Sequence, residues 1–313
     1  MGALRHAKAA LTASVLLLAA VSLLTVLHAQ SAPFRSGVDL VPLDVCVTDR
    51  AGHYMPALSR DDFIIYENRV PQDLRFFSTE GELPLSAVIL IDRSSSMTGD
   101  RLDRAKGAAT SFLKELGPLD RAAVLAFNET TSRILPFSTP PEESGRVGKL
   151  GAGGQTALFD AVLVGLRELA THRSGEIERR EAIVILSDGE DSASRNDFAE
   201  VHRELQTTGV LLYSISIRVD SRGKSLPPLH DFAQLANDSG GRVVSLDDWT
   251  ALDQVYADIA AELRHMYRLA YVPRSTLNDG RWRTLAVRVS DSEARVRTRA
   301  GYFARRPVPH GAQ

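Results

Sequence analysis

The chain has 313 residues, of which 44% are hydrophobic and 24% charged, with a formal net charge of −2 and a pI near 6.5. Such a composition excludes disorder for the body of the chain, and the length suits one large domain with a smaller companion. The near-neutral balance removes the electrostatic case for nucleic acid, which calls for a basic face, and the single cysteine, Cys46, excludes an intrachain disulfide.

Arg5 and Lys8 precede an uncharged stretch, 9–27, rich in Leu, Ala and Val. A charged start followed by an apolar run reads as an export signal, with a small residue for cleavage at Ala29. The run also approaches the length of a membrane anchor. Both readings place the rest of the chain outside the cytoplasm, in the periplasm or beyond the cell, and assign 1–32 to this segment. In 33–84, Val41, Leu43, Val45 and Val47 alternate with Asp44, Cys46 and Thr48, which predicts a half-buried strand. Asp49-Arg50-Ala51-Gly52 reads as a turn. Strands at 63–66 and 73–77 follow around Glu67-Asn68-Arg69, a unit too small to bury a core alone.

At Ser86 the period changes. Ala87-Val88-Ile89-Leu90-Ile91 is continuously apolar, as in a strand covered on both faces. Leu102, Ala105, Ala109, Phe112 and Leu116 then fall at helical spacing, followed by strands at 122–127 and 132–137. A second helix carries Leu158, Ala161, Val162, Leu166 and Leu169, and a second apolar strand spans 182–186. Helix 198–207, strand 210–217, a short helix at 232–236, a strand at 242–246 and a helix carrying Trp249, Leu252, Tyr256, Ile259 and Leu263 complete the alternation. The fold class is therefore α/β: a doubly wound, mostly parallel sheet with one antiparallel edge strand, over 85–264. From His265 the period returns to two, with strands through Tyr271, Val289 and 296–303. The segments 33–84 and 265–304 are expected to pair into one small β domain. The tail 305–313 is expected to fray, and the arginines after Arg264 read as the wet face of strands.

In a doubly wound sheet, ligands bind beyond the carboxyl ends of the strands, where strand order reverses. Three polar loops lie at such positions: Asp92-Arg93-Ser94-Ser95-Ser96, Gly151-Ala152-Gly153-Gly154-Gln155-Thr156 and Ser187-Asp188-Gly189-Glu190-Asp191. They offer hydroxyls and carboxylates without thiolate or imidazole, a donor set for Mg²⁺, Mn²⁺ or Ca²⁺ rather than zinc or copper. Asp92, Ser94 and Ser96 sit at alternate positions and can converge on one point. Glu190 and Asp191 read as solvated acids beside the site.

Asp-x-Ser-x-Ser after an apolar strand, Gly-Gly-x-Thr at a helix start and Ser-Asp-Gly after a later strand together resemble the metal-ion-dependent adhesion site of von Willebrand factor type A domains. The resemblance covers about Leu85 to Leu263. It implies a metal held by the hydroxyls of Ser94 and Ser96, by Asp92 and Asp188 directly or through water, and by Thr156 in a conformation-dependent way. It further implies a protein partner that donates an Asp or Glu carboxylate to the metal, and no enzymatic activity. The flanking β segments, with Asp62-Phe63 and Gly301-Tyr302, are similar to a bacterial exported subgroup of these proteins.

Two other functions compete with adhesion. A structural envelope protein would use the metal only to stiffen the loops. A phosphoryl-transfer hydrolase would need a second acid where Ser94 stands in Asp92-Arg93-Ser94. The chain also lacks Gly-x-Ser-x-Gly and a Walker lysine, so nothing supplies an activated nucleophile with its base.

Overall fold

The computed structural model describes residues 40–79, 81, 83–138, 144–173, 178–188, 190–216, 230–246, 248–275 and 279–304. The N-terminal export segment and the C-terminal tail lie outside the described residues. Strands are numbered in chain order: β1 (Val41–Thr48), β2 (Phe63–Glu67), β3 (Val70–Gln72), β4 (Leu74–Ser78), β5 (Leu85–Asp92), β6 (Arg121–Phe127), β7 (Thr131–Ser138), β8 (Arg180–Ser187), β9 (Leu211–Ser216), β10 (Arg242–Ser245), β11 (Tyr267–Tyr271), β12 (Trp282–Val289), β13 (Arg295–Arg297) and β14 (Gly301–Phe303). The helices are α1 (Asp100–Lys114), α2 (Leu158–Thr171), α3 (Phe198–Thr208), α4 (His230–Ser239) and α5 (Leu252–Arg264).

The central sheet runs β10-β9-β8-β5-β6-β7. All its pairings are parallel except that of β7, which returns antiparallel beside β6. Every residue of β5 is buried, because the two sets of alternating side chains meet helices on opposite faces. Ala87, Ile89 and Ile91 pack with α1 and α5, while Val88 and Leu90 pack with α2. The chain leaves β5 toward β6 and β7, then returns to its other side with β8. The reversal of strand order therefore falls between β5 and β8.

The two ends of the described chain build two further sheets, β13-β1-β11-β4 and β14-β12-β2-β3. They enclose a common core of Leu43, Val45, Ile65, Tyr267, Leu269 and Tyr271. Here the structure departs from the periodicity in several ways. Segment 63–66 does not turn back onto 73–77. Asn68 and Arg69 both take positive φ, 48° and 68°, as in the tight two-residue turn whose twist matches a hairpin. The partner of β2 is thus β3, an edge strand in which Pro71 lacks only an outward N–H. β4 crosses to pair with β11. The stretch 296–303 is two strands, β13 on β1 and β14 on β12, parted at Thr298-Arg299-Ala300.

β1 is buried on both faces rather than one. Its second face lies against the α/β layer, where Cys46 joins the core that contains α1 and α5, and burial pushes the Cys46 thiol up to about 11. Asp44, on the same face, accepts from Arg180 Nε at 2.8 Å and from Arg268 Nη1 at 3.0 Å. The arginines after Arg264 are accordingly not all on a wet face: Arg268, Arg283 and Arg299 are buried, and Arg297 pairs with the buried Glu262.

Arg180 also donates to the carbonyls of Leu263 and Met266, satisfying acceptors at the end of α5. Burial alone would raise the Asp44 carboxyl, but the Arg268 and Arg180 guanidiniums hold it below its ordinary value of 3.8. Its stabilising contribution is therefore present above that ordinary value and is lost as pH falls through the depressed one. Removing one partner of a buried pair leaves an uncompensated charge and costs roughly 3–5 kcal/mol. Asp44→Ala is expected to lose stability of that order in urea denaturation at pH 7. A midpoint shift no larger than that of an exposed Asp→Ala control would contradict it.

Candidate metal centre

The register of β5 against β8 places Ile91 opposite Leu186, so Asp92 and Ser187 end the two strands side by side at the reversal point. Asp92 is fully buried. Its Oδ2 accepts from Ser187 Oγ at 2.5 Å and its Oδ1 from the Ser94 N–H at 2.8 Å. Burial raises the Asp92 carboxyl above its ordinary value, the hydrogen bonds from Ser187 and Ser94 oppose this, and the nearby Asp188 carboxylate adds to the rise. A carboxylate in this position favours a cation beside it.

From Asp92 the chain makes a short 3₁₀ turn at Ser95–Met97, which turns Ser94 and Ser96 to the same side. Ser96 Oγ donates to Asp188 Oδ1 at 2.6 Å. Its proton being spent there, Ser94 is the donor in the 3.0 Å contact between the two hydroxyls. Ser94, Ser96 and Asp188 are thus linked oxygen to oxygen, with Asp92 tied to the Ser94 backbone. Gly99, at φ 83°, then swings the chain into α1, and the first turn of that helix sends Arg101 back to Asp188 Oδ2 at 2.5 Å.

Thr156 is buried close by, but its side chain makes no hydrogen bond to the other four among the described residues. Its loop is held by backbone instead. Gly153 N donates to Arg93 O at 2.7 Å, and Ser95 N donates to Gly154 O at 2.9 Å. Gly154 has φ 87°, and a Cβ there would collide with the Glu129 carboxylate. Asn128, just past the end of β6, accepts from Arg93 through Oδ1 and donates to the Gly153 carbonyl through Nδ2, which joins the Asp92 loop to the Gly151 loop.

Sequence reasoning missed Asn128 and Arg101, named Ser187 in its motif without its bond to Asp92, and misplaced Asp191. The Asp191 carboxylate is not simply solvated: it accepts from the N–H groups of Leu158 and Phe159 at the start of α2. Ala157, which precedes that helix, gives it no side-chain cap. An uncapped helix start was the available signal. Among the described residues no group of three or more His, Cys, Asp or Glu side chains gathers that could hold a metal. Asp92 and Asp188 are the two carboxylates of this cluster, and Ser94 and Ser96 add hydroxyls.

A family model for the von Willebrand factor type A domain matches residues 87–258, more than half of the chain. The chain belongs to that family. Over 118 residues this A-domain protein is 30% identical to an uncharacterized protein of Synechocystis sp., covering 37% of this chain and 27% of that protein. Over 192 residues it is 27% identical to an uncharacterized protein of Mycobacterium tuberculosis, covering 60% and 29%. The chain thus spans under a third of the length of either relative. Among solved structures, a von Willebrand factor type A protein from Catenulispora acidiphila superposes with a TM-score of 0.52 at 13% identity, over 84% of this chain and 73% of that one. This likeness shows a shared fold.

Replacing a helix-capping carboxylate by alanine costs about 1 kcal/mol. Asp191→Ala is expected to lower stability in urea by about that amount and to raise amide exchange at Leu158 and Phe159. Unchanged exchange at both amides would show that α2 does not rely on this cap.

Proposed function

We propose that Asp92, Ser94, Ser96, Thr156 and Asp188 hold a divalent cation, and that the bound ion takes a carboxylate from an Asp or Glu of a partner protein. The observation that carries this reading is the chain of side-chain oxygens from Ser94 through Ser96 to Asp188, with spacings of 3.0 and 2.6 Å. The side-chain donors are oxygen throughout, which supports a hard dication, Mg²⁺, Mn²⁺ or Ca²⁺. Hydroxyls add no charge, so two carboxylates balance the dication and leave it receptive to an outside anion. When bound, the ion supplies a Lewis-acidic anchor. The chain's own residues set its position: β5 and β8 fix the carboxylates, the 3₁₀ turn fixes the hydroxyls, and Gly153 and Gly154 clamp the Thr156 loop.

The charged and apolar pattern of 1–32 supports export, with the segment either cleaved or kept as an anchor. Among the described residues no helix is long and apolar enough to cross a membrane. Residues 85–264 are proposed as the metal-dependent binding domain, and 33–84 with 265–304 as its β support.

Saturating metal is expected to raise stability by about 2.7 kcal/mol at one hundred times its Kd, and this gain should vanish in Asp188→Ala and Ser96→Ala. A partner captured from cell-envelope extract should be retained in Mg²⁺, released by EDTA and absent with Asp188→Ala. Partner binding that survives both EDTA and Asp188→Ala would reject the carboxylate-bridge reading. A metal gain that persists in both variants would reject the site.

A further inference from the structure

The proposed metal residues leave one neighbouring group unexplained. Arg101 places a guanidinium on the same carboxylate that the cation would use. Its Nη1 lies 2.5 Å from Asp188 Oδ2 and 3.2 Å from the Ser96 carbonyl oxygen. Both contacts are to the loops that carry the oxygens, and neither is to the body of α1. Arg101 also stands in the first turn of α1, where the exposed N–H groups of a helix disfavour a cation. Its position is therefore set by what it touches across the gap. The two partners differ sharply in exposure: the Asp188 side chain is 3% exposed and the Arg101 side chain 41%. The carboxylate is fixed in the protein, while the guanidinium has a path into water.

We propose that Arg101 is the exchangeable counter-cation of this site, paired with Asp188 when no divalent ion is bound and displaced when one enters. The inference rests on the metal-binding reading above and assigns a regulation to that same site. A buried carboxylate without a cation carries a desolvation penalty, which the guanidinium offsets at the expense of metal affinity. A dication against the same carboxylate is repelled by the guanidinium over a few ångströms of poorly screened space. An ion therefore meets a site that is competent only in the fraction of molecules whose arginine has swung out. If the pair is closed about nine-tenths of the time, apparent affinity falls about tenfold. The arrangement sets a threshold: ion occupancy, and with it partner binding, begins at a higher metal concentration than the oxygens alone would dictate.

The test is calorimetric titration of the full chain with Mn²⁺ and with Mg²⁺, comparing wild type, Arg101→Gln and Arg101→Lys, with melting temperatures in EDTA and in saturating metal. Arg101→Gln should bind either ion about tenfold more tightly, melt lower than wild type in EDTA, and show a wider gap between its metal-free and metal-loaded melting temperatures. Arg101→Lys keeps the charge and should stay within about threefold of wild type. If Arg101→Gln takes up metal with unchanged or weaker affinity, the competition is overturned while the metal site stands. If none of the three proteins takes up either ion, the metal reading fails and the competition fails with it.

Discussion

The structure depends on one buried guanidinium. Arg180 opens β8, is almost wholly removed from solvent, and holds three things at once: Asp44 on β1, and the carbonyls of Leu263 and Met266 where α5 gives way to β11. Its five donors in a rigid plane suit that task in a way a lysine ammonium does not. An ion pair of this kind is a poor source of net stability, since both charges leave water. What it provides is a fixed relation between the β layer and the α/β layer. The same strand carries Ser187 at its other end, about 23 Å away for eight extended residues, with Asp188 just beyond. The joint between layers and the oxygen cluster are thus the two ends of one rigid element.

At the cluster, the physics of the donors explains why so few charges are gathered. Asp92 is buried and raised, and Asp188 is nearby, so a third carboxylate would add repulsion without a cation to absorb it. Hydroxyls satisfy one another in the meantime, as the bond from Ser94 to Ser96 and onward to Asp188 does. The loops themselves are held by backbone bonds and by Asn128 and Asp191.

Much of this was legible in the residues, for identifiable reasons. The continuous apolar run at 87–91 can be satisfied only between two layers of helices, and the structure provides them on both faces of β5. Asp92 ends one strand and Asp188 directly follows its paired neighbour, which brings them together, and the 3₁₀ turn after Asp92 adds Ser94 and Ser96. Other features depend on partners distant in the chain, and period says nothing about those. Alternation in β1 correctly sorted its two faces, but the second face is buried because Arg180, 136 residues away, meets Asp44 there. The pairing of β2 with β3 rests on two positive φ angles at Asn68 and Arg69, and arginine is not a residue that advertises one. Thr156 is placed by loop backbone rather than by its own side chain, which motif spacing cannot reveal.

Cys46 sits at this same joint, 4% exposed, with its thiol held in the protonated and unreactive form. In the folded chain the buried thiol is therefore kept from cross-linking with an outside partner. The same burial makes the sulfur a native reporter. A thiol-reactive dye has no access to it while β1 lies against the α/β layer, so its rate of labelling measures how often the two layers part.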